Sequence, residues 1–367
     1  MEKETLAEKR AIAEQYKAMP YRAKVNLAES RIWEWVETCD RNGKNCHVSV
    51  GGLDSITLLM LVRRTIPSRD IPAISITYLE DRSIQQVHKQ LGVIPVKPFK
   101  SQAAVINEFG FPVISKAKAS KIEYIQVPNQ PKQTFIHAIM TGDMGEQGHF
   151  EHSEKIKLPD KYIELFGGYY AEHRPDLSCR VAPFKVSAKC CKYMKEDPAD
   201  AWAKEHNSWP FLGLMQSEGG QRELGLLRNG CNYVGKNTAR SCPLNYFSRQ
   251  DLLQLALELE VPVPKIYGEI VRDTDGTLRT TRAQRTGCSM CGFGIHIEKR
   301  PHRFDRLRED NPKAWEYWMK NCCIDPETGE KYGWGRVLDY IGVGWENAPD
   351  TDLPGQVSLF EEVCANG

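Results

Sequence analysis

Cys46-His-Val-Ser-Val-Gly-Gly-Leu-Asp-Ser55 decides how this chain is read. Its opening residues, Cys46 to Val50, form a β-rich run. The run stops at Gly51-Gly52 and gives way to the apolar stretch Ile56 to Val62. The order is strand, glycine-rich turn, helix. Glycines in such a turn let the backbone approach a phosphate, and the next helix offers unpaired N–H groups and a positive dipole end. Asp54 and Ser55 are placed to cap that helix. The same residues also suit an ordinary tight turn. Their position after the first strand favours a ligand, because open α/β sheets bind ligands beyond the carboxyl ends of their strands.

The pattern continues on both sides. Upstream, residues 3 to about 40 read as helical, with Leu27, Ile32, Trp33 and Val36 at helical spacing. Downstream, Pro72-Ala-Ile-Ser-Ile-Thr77 reads as a second buried strand, 81–91 as a helix and Gly92 to Val96 as the start of a third strand. Strands alternating with helices predict a parallel twisted sheet covered by helices on both faces. Residues 142–180 are rich in Gly, His, Tyr and charge and read as an irregular insert. Alternation returns with a helix over Cys190 to Glu205 and a strand over Trp209 to Met215. Ser248-Arg-Gln-Asp251 then opens a helix with a capping-box pattern. Residues 301–345 hold two short helical stretches and aromatic connectors. The predicted domains are a helical extension (1–43), an α/β domain (44–300) and a helical, aromatic C-terminal extension with a polar, mobile tail (301–367).

Four cysteines carry a second signal. Cys190 and Cys191 are adjacent, and Cys288-Ser-Met-Cys291 follows. A CxxC turn sets two thiolates on one side of a loop, and a second close pair completes a four-sulfur cage for Zn²⁺ or an iron–sulfur cluster. Zinc sites usually repeat CxxC-type spacing. Adjacent cysteines have diverging side chains and suit the larger cluster better. The alternative is a set of buried thiols. Of the twelve cysteines, Cys322-Cys323 lacks a CxxC partner and reads as core or surface thiols, while Cys231 and Cys242 read as structural.

Composition sets the frame. The chain has 367 residues, is 41% hydrophobic and 26% charged, and has a net charge of +1. That is ordinary for a globular protein and gives no global nucleic-acid or membrane signature. The charged N-terminus, and the lack of a long apolar run, predict neither a secretion signal nor a spanning helix. The expected setting is cytoplasmic, with reduced thiols. His137, His149, His152 and His173 fall in or near the insert and read as solvated. Trp315, Tyr317, Trp318, Trp334 and Trp345 read as packing.

Together the motifs resemble the phosphoadenosine phosphosulfate (PAPS) reductase family of the PP-loop superfamily, and within it the reductase-like proteins of phages and mobile elements. Val48 to Ser55 resembles the PP-loop SGGKDS, and Thr77-Tyr-Leu-Glu80 resembles TGLE. Phe111-Pro-Val-Ile-Ser-Lys116 is similar to a P-x-x-SK segment, and Cys190-Cys191 with Lys195 to CC-x-x-x-K. Met215-Gln-Ser-Glu-Gly-Gly-Gln-Arg222 resembles M-x-x-ES-x-x-R. Arg285-Thr-Gly-Cys-Ser-Met-Cys-Gly-Phe-Gly294 resembles RTGCxxCGFG, and Val337-Leu-Asp-Tyr-Ile-Gly342 resembles VLDYIG. The resemblance implies an adenine nucleotide α-hydrolase-like fold and a [4Fe-4S] cluster on Cys190, Cys191, Cys288 and Cys291. It implies a nucleotide's phosphate or sulfate over Gly51, Gly52, Asp54 and Ser55, with Glu218, Arg222 and Arg240 facing the pocket. Arg suits that task through its planar fork.

The departures cluster in that pocket. Val50 stands where the PP-loop has Ser, Leu53 where it has Lys, Tyr78 where TGLE has Gly, and Gly219 where the ES pair has Ser. Leu53 removes a cation, and a lysine restored there is expected to raise ATP affinity. The reductases' tail nucleophile is also missing: Cys364 is the only cysteine in the tail, its context differs, and it reads as incidental. Two functions follow. One is sulfonucleotide reduction or sulfur transfer on a nucleotide or nucleic acid, for which a thioredoxin-like electron donor is compatible. The other is a non-catalytic cluster-bearing protein whose degenerate nucleotide pocket serves a protein or nucleic-acid partner. Neither requires a membrane, and no catalytic residue is assigned.

Overall fold

The computed structural model describes residues 5–76, 80–149, 151–236, 238–288 and 290–347. Tyr78, Cys364 and the tail beyond residue 347 therefore lie outside the described residues. The chain forms two compact units, each built from two separate stretches. The first comprises Met1–Pro98 and Lys195–Ser289, the second Phe99–Met194 and Met290–Gly367.

The first unit is built on a six-stranded sheet. From edge to edge its strands are Ile94–Val96, Ala73–Ile76, Asn45–Ser49, Ser208–Leu212, Ala239–Ser241 and Asn232–Val234. All neighbours pair in parallel except the last two, which form an antiparallel edge. Alternation along the two central strands divides the faces. Cys46 and Val48 stand beside Trp209 and Phe211 in the parallel register. The ring of Trp35, from helix Tyr21–Arg41, packs against Trp209 and Phe211 on that face. Helices Leu53–Thr65 and Arg249–Glu258 bury Leu58, Leu59, Leu252 and Leu255 in the same core. His47 takes the opposite face, where its ring lies 5.0 Å from Trp202 of helix Asp197–Glu205. The sheet is thus a mostly parallel α/β layer with helices on both faces, as the alternating pattern predicts.

Local signals place most boundaries. The all-helical start divides into Leu6–Lys17 and Tyr21–Arg41, because Pro20 favours an extended or first-turn position over a helix interior. Ser248 accepts from the Asp251 N–H while the Asp251 carboxylate accepts from the Ser248 N–H, completing the expected capping box. Asp251 also pairs with the buried Lys24 at 2.8 Å, tying this helix to Tyr21–Arg41. Helix Leu53–Thr65 departs from expectation. Its N-cap is Gly52, without a side-chain cap. Asp54 and Ser55 serve other partners, described below.

The second unit has little sheet. Gly292–Phe293 pairs in parallel with Val113–Ile114, and Cys323–Ile324 forms a short hairpin with Lys331–Tyr332. Its core gathers Phe111, Phe166, Phe304 and Trp334. The ring of Trp334 lies 5.0 Å from Phe111 and 5.2 Å from Phe304. The stretch read as an irregular insert contains helix Asp160–Phe166, which buries Tyr162, Ile163 and Phe166. Among the described residues, 301–345 hold three helices, not two: Arg303–Asp310, Pro312–Lys320 and Trp334–Tyr340. Cys322 and Cys323 are buried, with sulfurs 3.9 Å apart. Among the described residues, no helix is long and apolar enough to cross a membrane.

His47 yields a pH prediction. Burial, with His206 nearby, lowers its pKa from 6.5 to about 4, and its Nδ1 shares a 2.7 Å hydrogen bond with Ser208. A folded pKa below the unfolded value favours folding above pH 6.5, and that contribution disappears as pH falls toward 4. Each pH unit in that window is worth about 1.4 kcal/mol. Between pH 7 and 4.5, urea unfolding should therefore show wild type losing about 2–3 kcal/mol more than His47→Gln. Equal losses would contradict this.

Candidate functional site

The sheet reverses its winding between Asn45–Ser49 and Ser208–Leu212. The chain builds outward from the first of these strands to one edge, then returns to pair on its other side. Such a switch point leaves a crevice beyond the carboxyl ends of the strands. Here a cavity of about 880 Å³ opens, lined by the turn Gly51 to Ser55, by Leu212 to Leu214 and by side chains of the Asp197–Glu205 helix. Gly51, Gly52, Asp54, Ser55, Glu218 and Arg222 all line it. Arg240 is not among the lining residues: it sits in the strand Ala239–Ser241, with its buried Nε unpartnered.

The turn is close-packed. The Gly51 N–H donates to Ser55 Oγ at 2.7 Å, and that hydroxyl donates to the Gly52 carbonyl at 3.0 Å. His88 Nε2 reaches the Gly51 carbonyl at 2.7 Å. The Leu53 N–H donates to the Tyr267 hydroxyl at 3.1 Å, and Tyr267 shares a 2.6 Å hydrogen bond with Thr286 Oγ1. Burial raises the Tyr267 pKa, so the phenol keeps its proton at neutral pH. A β-carbon at Gly52 would stand 2.3 Å from the Tyr267 oxygen and 3.1 Å from Thr286 Oγ1. Tyr267 thus occupies the first N–H of the helix, where an anion would otherwise bind.

Leu53 and Val50 line the cavity, and both are also buried in the hydrophobic core, Leu53 only 1% exposed. A lysine at 53 would have to carry its ammonium out of that core to reach a ligand, because an ammonium left buried costs several kcal/mol by order of magnitude. Gly219 has a conformational reason. It and Gly220 have φ of +71° and +61°, a region costly for the serine of the resembled motif.

Charges around the cavity are matched. Asp54 pairs with Arg249 at 2.6 Å; burial raises the Asp54 pKa and Arg249 opposes the rise. Glu218, with its side chain 5% exposed, pairs with Arg222 and lies 3.7 Å from Arg285. Lys195 donates to Glu80 Oε1 at 2.8 Å. Burial works against the Lys195 charge, but Cys288 and Glu80 outweigh it and raise its pKa. Lys195 therefore links Cys288 to Glu80, whose Oε1 would lie 3.4 Å from a β-carbon on Gly51. Lys195, Arg285 and Thr286 stand in the quoted motifs, where sequence reasoning left them without roles. Glu80 likewise ends the TGLE-like segment. Tyr267 and Arg249 carried no local signal at all.

In the second unit Cys190 is buried, and Cys191 and Cys291 are partly exposed; Cys288 belongs to the first unit and is partly exposed. Their chemistry suits a thiolate-bound metal, and Lys195 stands beside Cys288. Among the described residues, however, no group of three or more His, Cys, Asp or Glu side chains is arranged to hold a metal ion.

No family model matches the chain. No curated protein matches it either. Among solved structures it is similar to an NAD⁺ synthetase from Burkholderia pseudomallei: 13% identity, 71% of this chain and 86% of that one covered, TM-score 0.31. It is also similar to the U34-tRNA thiolase NcsA from Methanococcus maripaludis, whose structure includes its [4Fe-4S] cluster: 12% identity, 81% and 76% covered, TM-score 0.29. With overlap this low, neither neighbour bears on what this chain binds.

Two variants test the turn. Tyr267→Phe frees the Leu53 N–H and should raise affinity for ATP or inorganic phosphate about tenfold by calorimetry, at a stability cost of about 1 kcal/mol. Unchanged affinity in a folded variant would remove Tyr267 as the occupant of that position. Gly52→Ala should cost about 1–3 kcal/mol, and less in a Tyr267→Phe background, because its closest clash is with the tyrosine oxygen. Fully additive losses would place the strain elsewhere.

Proposed function

We propose that this chain carries out sulfur chemistry on a nucleotide or nucleic acid, as a PAPS-reductase-type protein. The substrate's phosphate or sulfate end sits in the cavity beyond Gly51 to Ser55. A [4Fe-4S] cluster sits on Cys190, Cys191, Cys288 and Cys291. The observation that carries this reading is the cavity's position at the switch point of a parallel sheet, with a glycine turn at its floor. The contact between Lys195, Cys288 and Glu80 supports it by joining a cysteine of the set to that floor. When bound, such a cluster supplies electron transfer. The chain's own residues do the binding. Arg222 and Arg285 lie in the partly exposed mouth, with side chains 57% and 53% accessible, and can exchange Glu218 for a substrate oxyanion. Gly51 and Gly213 admit backbone close to the ligand and to the helix: a β-carbon on Gly213 would stand 2.9 Å from the Ser55 Cα.

One observation favours the second reading, a cluster-bearing protein without nucleotide chemistry. Asp54, Glu80 and Glu218 already pair with the cations around the turn, and Tyr267 takes the Leu53 N–H. A ligand must displace internal partners before it binds.

Anaerobic purification, followed by iron, sulfide, zinc and nucleotide analysis of one sample, separates the readings. About four irons per chain with matching sulfide are expected for a four-cysteine cluster; stoichiometric zinc without labile sulfide would overturn it. A stoichiometric adenine nucleotide favours the enzyme, and a stable protein partner without nucleotide favours the second reading. Cys288→Ser should also be poorly soluble or protease-sensitive, because metal-binding free energy becomes folding free energy when ligands are far apart in the chain. A variant as heat-stable as wild type would contradict that role.

A further inference from the structure

Basic side chains gather around one aromatic ring in the second unit. Tyr162, on helix Asp160–Phe166, is 4% exposed. The Lys118 ammonium lies 4.9 Å from the centre of its ring and the Lys161 ammonium 5.2 Å. The His296 ring meets its edge, with centroids 6.3 Å apart. Lys118 and Lys121 stand three apart on helix Lys116–Ile125, so their side chains are neighbours on its surface. Lys121 donates to the Lys155 carbonyl at 2.8 Å.

Internal pairs do not neutralise this charge. Among the described residues no carboxylate pairs with Lys118 or Lys121. Burial and the neighbouring Lys161 push the Lys118 pKa down, and burial with Lys118 does the same to Lys121. Burial, Lys118 and Lys161 carry the His296 pKa from 6.5 to about 4. The first turn of helix Lys116–Ile125 holds no acidic residue to offset its lysines, and cations are least favoured at that end of a helix. Two polar groups of the cluster make no hydrogen bond among the described residues, the Tyr162 hydroxyl and the buried His296 Nδ1. Ammonium and phenol are both donors to an oxyanion.

The adjoining surface decides which oxyanion fits. Tyr124 follows Lys121 by about one turn of the same helix. Phe135 stands edge-on to Tyr124 at 5.0 Å and is itself 37% exposed. Lysines on two helices, beside an exposed aromatic ring, match a strand that carries one charge and one stackable base per nucleotide. A lipid surface would need an apolar helix face, but Ala119, Ile122 and Ile125 are spent in the core. An acidic peptide brings charge without a base to stack.

We propose that this face of the second unit binds single-stranded nucleic acid without sequence preference, with Lys118, Lys121 and Lys161 on the phosphates and Phe135 stacking a base. The surface is built from second-unit residues alone, and it does not depend on what the cavity of the first unit binds.

Fluorescence anisotropy of a labelled single-stranded oligonucleotide of mixed sequence, titrated with the full chain at several salt concentrations, tests this. Affinity should fall with salt, with a log–log slope of about −2 for three neutralised phosphates. Lys118→Gln combined with Lys121→Gln should flatten the slope to about −0.7. Phe135→Ala should weaken binding about tenfold at every salt concentration and leave the slope unchanged. Lys118→Arg keeps the charge and should bind as wild type does. So should Lys331→Gln, whose lysine lies in the hairpin with Cys323–Ile324. No binding at low salt, an unchanged slope in the double variant, or unchanged affinity in Phe135→Ala would overturn the site. An equal loss in Lys331→Gln would do the same, as would tighter binding to polyglutamate or to anionic lipid vesicles than to the oligonucleotide.

Discussion

Everything at the cavity depends on how little space surrounds the turn after the first strand. A β-carbon at Gly52 would lie 2.3 Å from the Tyr267 oxygen, and one at Gly213 2.9 Å from the Ser55 Cα. These glycines let three segments meet: the first strand's exit, the fourth-paired segment ending at Leu212, and the 3-10 turn Lys265–Tyr267. Close packing leaves few states available, so side chains there are held in place rather than fluctuating. The same closeness decides the chemistry. It puts a hydroxyl on the helix N–H that a phosphate would use.

Electrostatics at the cavity then follow from pairing. Glu218 is almost fully shielded while its arginines are not. A shielded carboxylate is costly without a cation, so Arg222 and Arg285 stabilise the empty site and are also the groups a ligand could recruit. Lys195 and Glu80 form a similar couple beside Cys288. The cavity is therefore neither a bare cationic trap nor an inert hole. Its binding strength is a difference between ligand contacts and internal ones.

The two units stand on different cores. The first buries aliphatic residues with Trp35 and Phe211 between sheet and helices, whereas the second packs aliphatic residues around an aromatic group at Trp334 and Phe111 with only short strands. In the second, Ile114 has a φ of +69° next to the N-cap Ser115. A β-branched residue in that region is strained, and the parallel bridge to Phe293 holds it there.

Local features were legible from the chain itself. A β-rich run ended by paired glycines, the Ser248–Asp251 cap and the alternation of strands and helices are all properties of neighbouring residues, and they produced the α/β sheet and most of its boundaries. The residues expected at the turn did gather at one cavity, because they lie on segments leaving the carboxyl ends of the two central strands. What the sequence could not decide was direction and partnership. Leu53 reads as a lost phosphate ligand, and only the fold shows that it is buried in the core as well as set at the cavity. Asp54 reads as a cap until Arg249, far along the chain, claims it. Arg240 reads as a pocket residue, yet its strand sets Ala239 rather than Arg240 in the cavity wall. Tyr267 has no signal at all, and His137 and His173 look solvated until two separate segments bring their nitrogens within 3.1 Å. Periodicity and turn chemistry act over a few residues, so the sequence by itself determined the elements and their order. Which side chains meet across long separations depends on packing, and that only the tertiary structure decided.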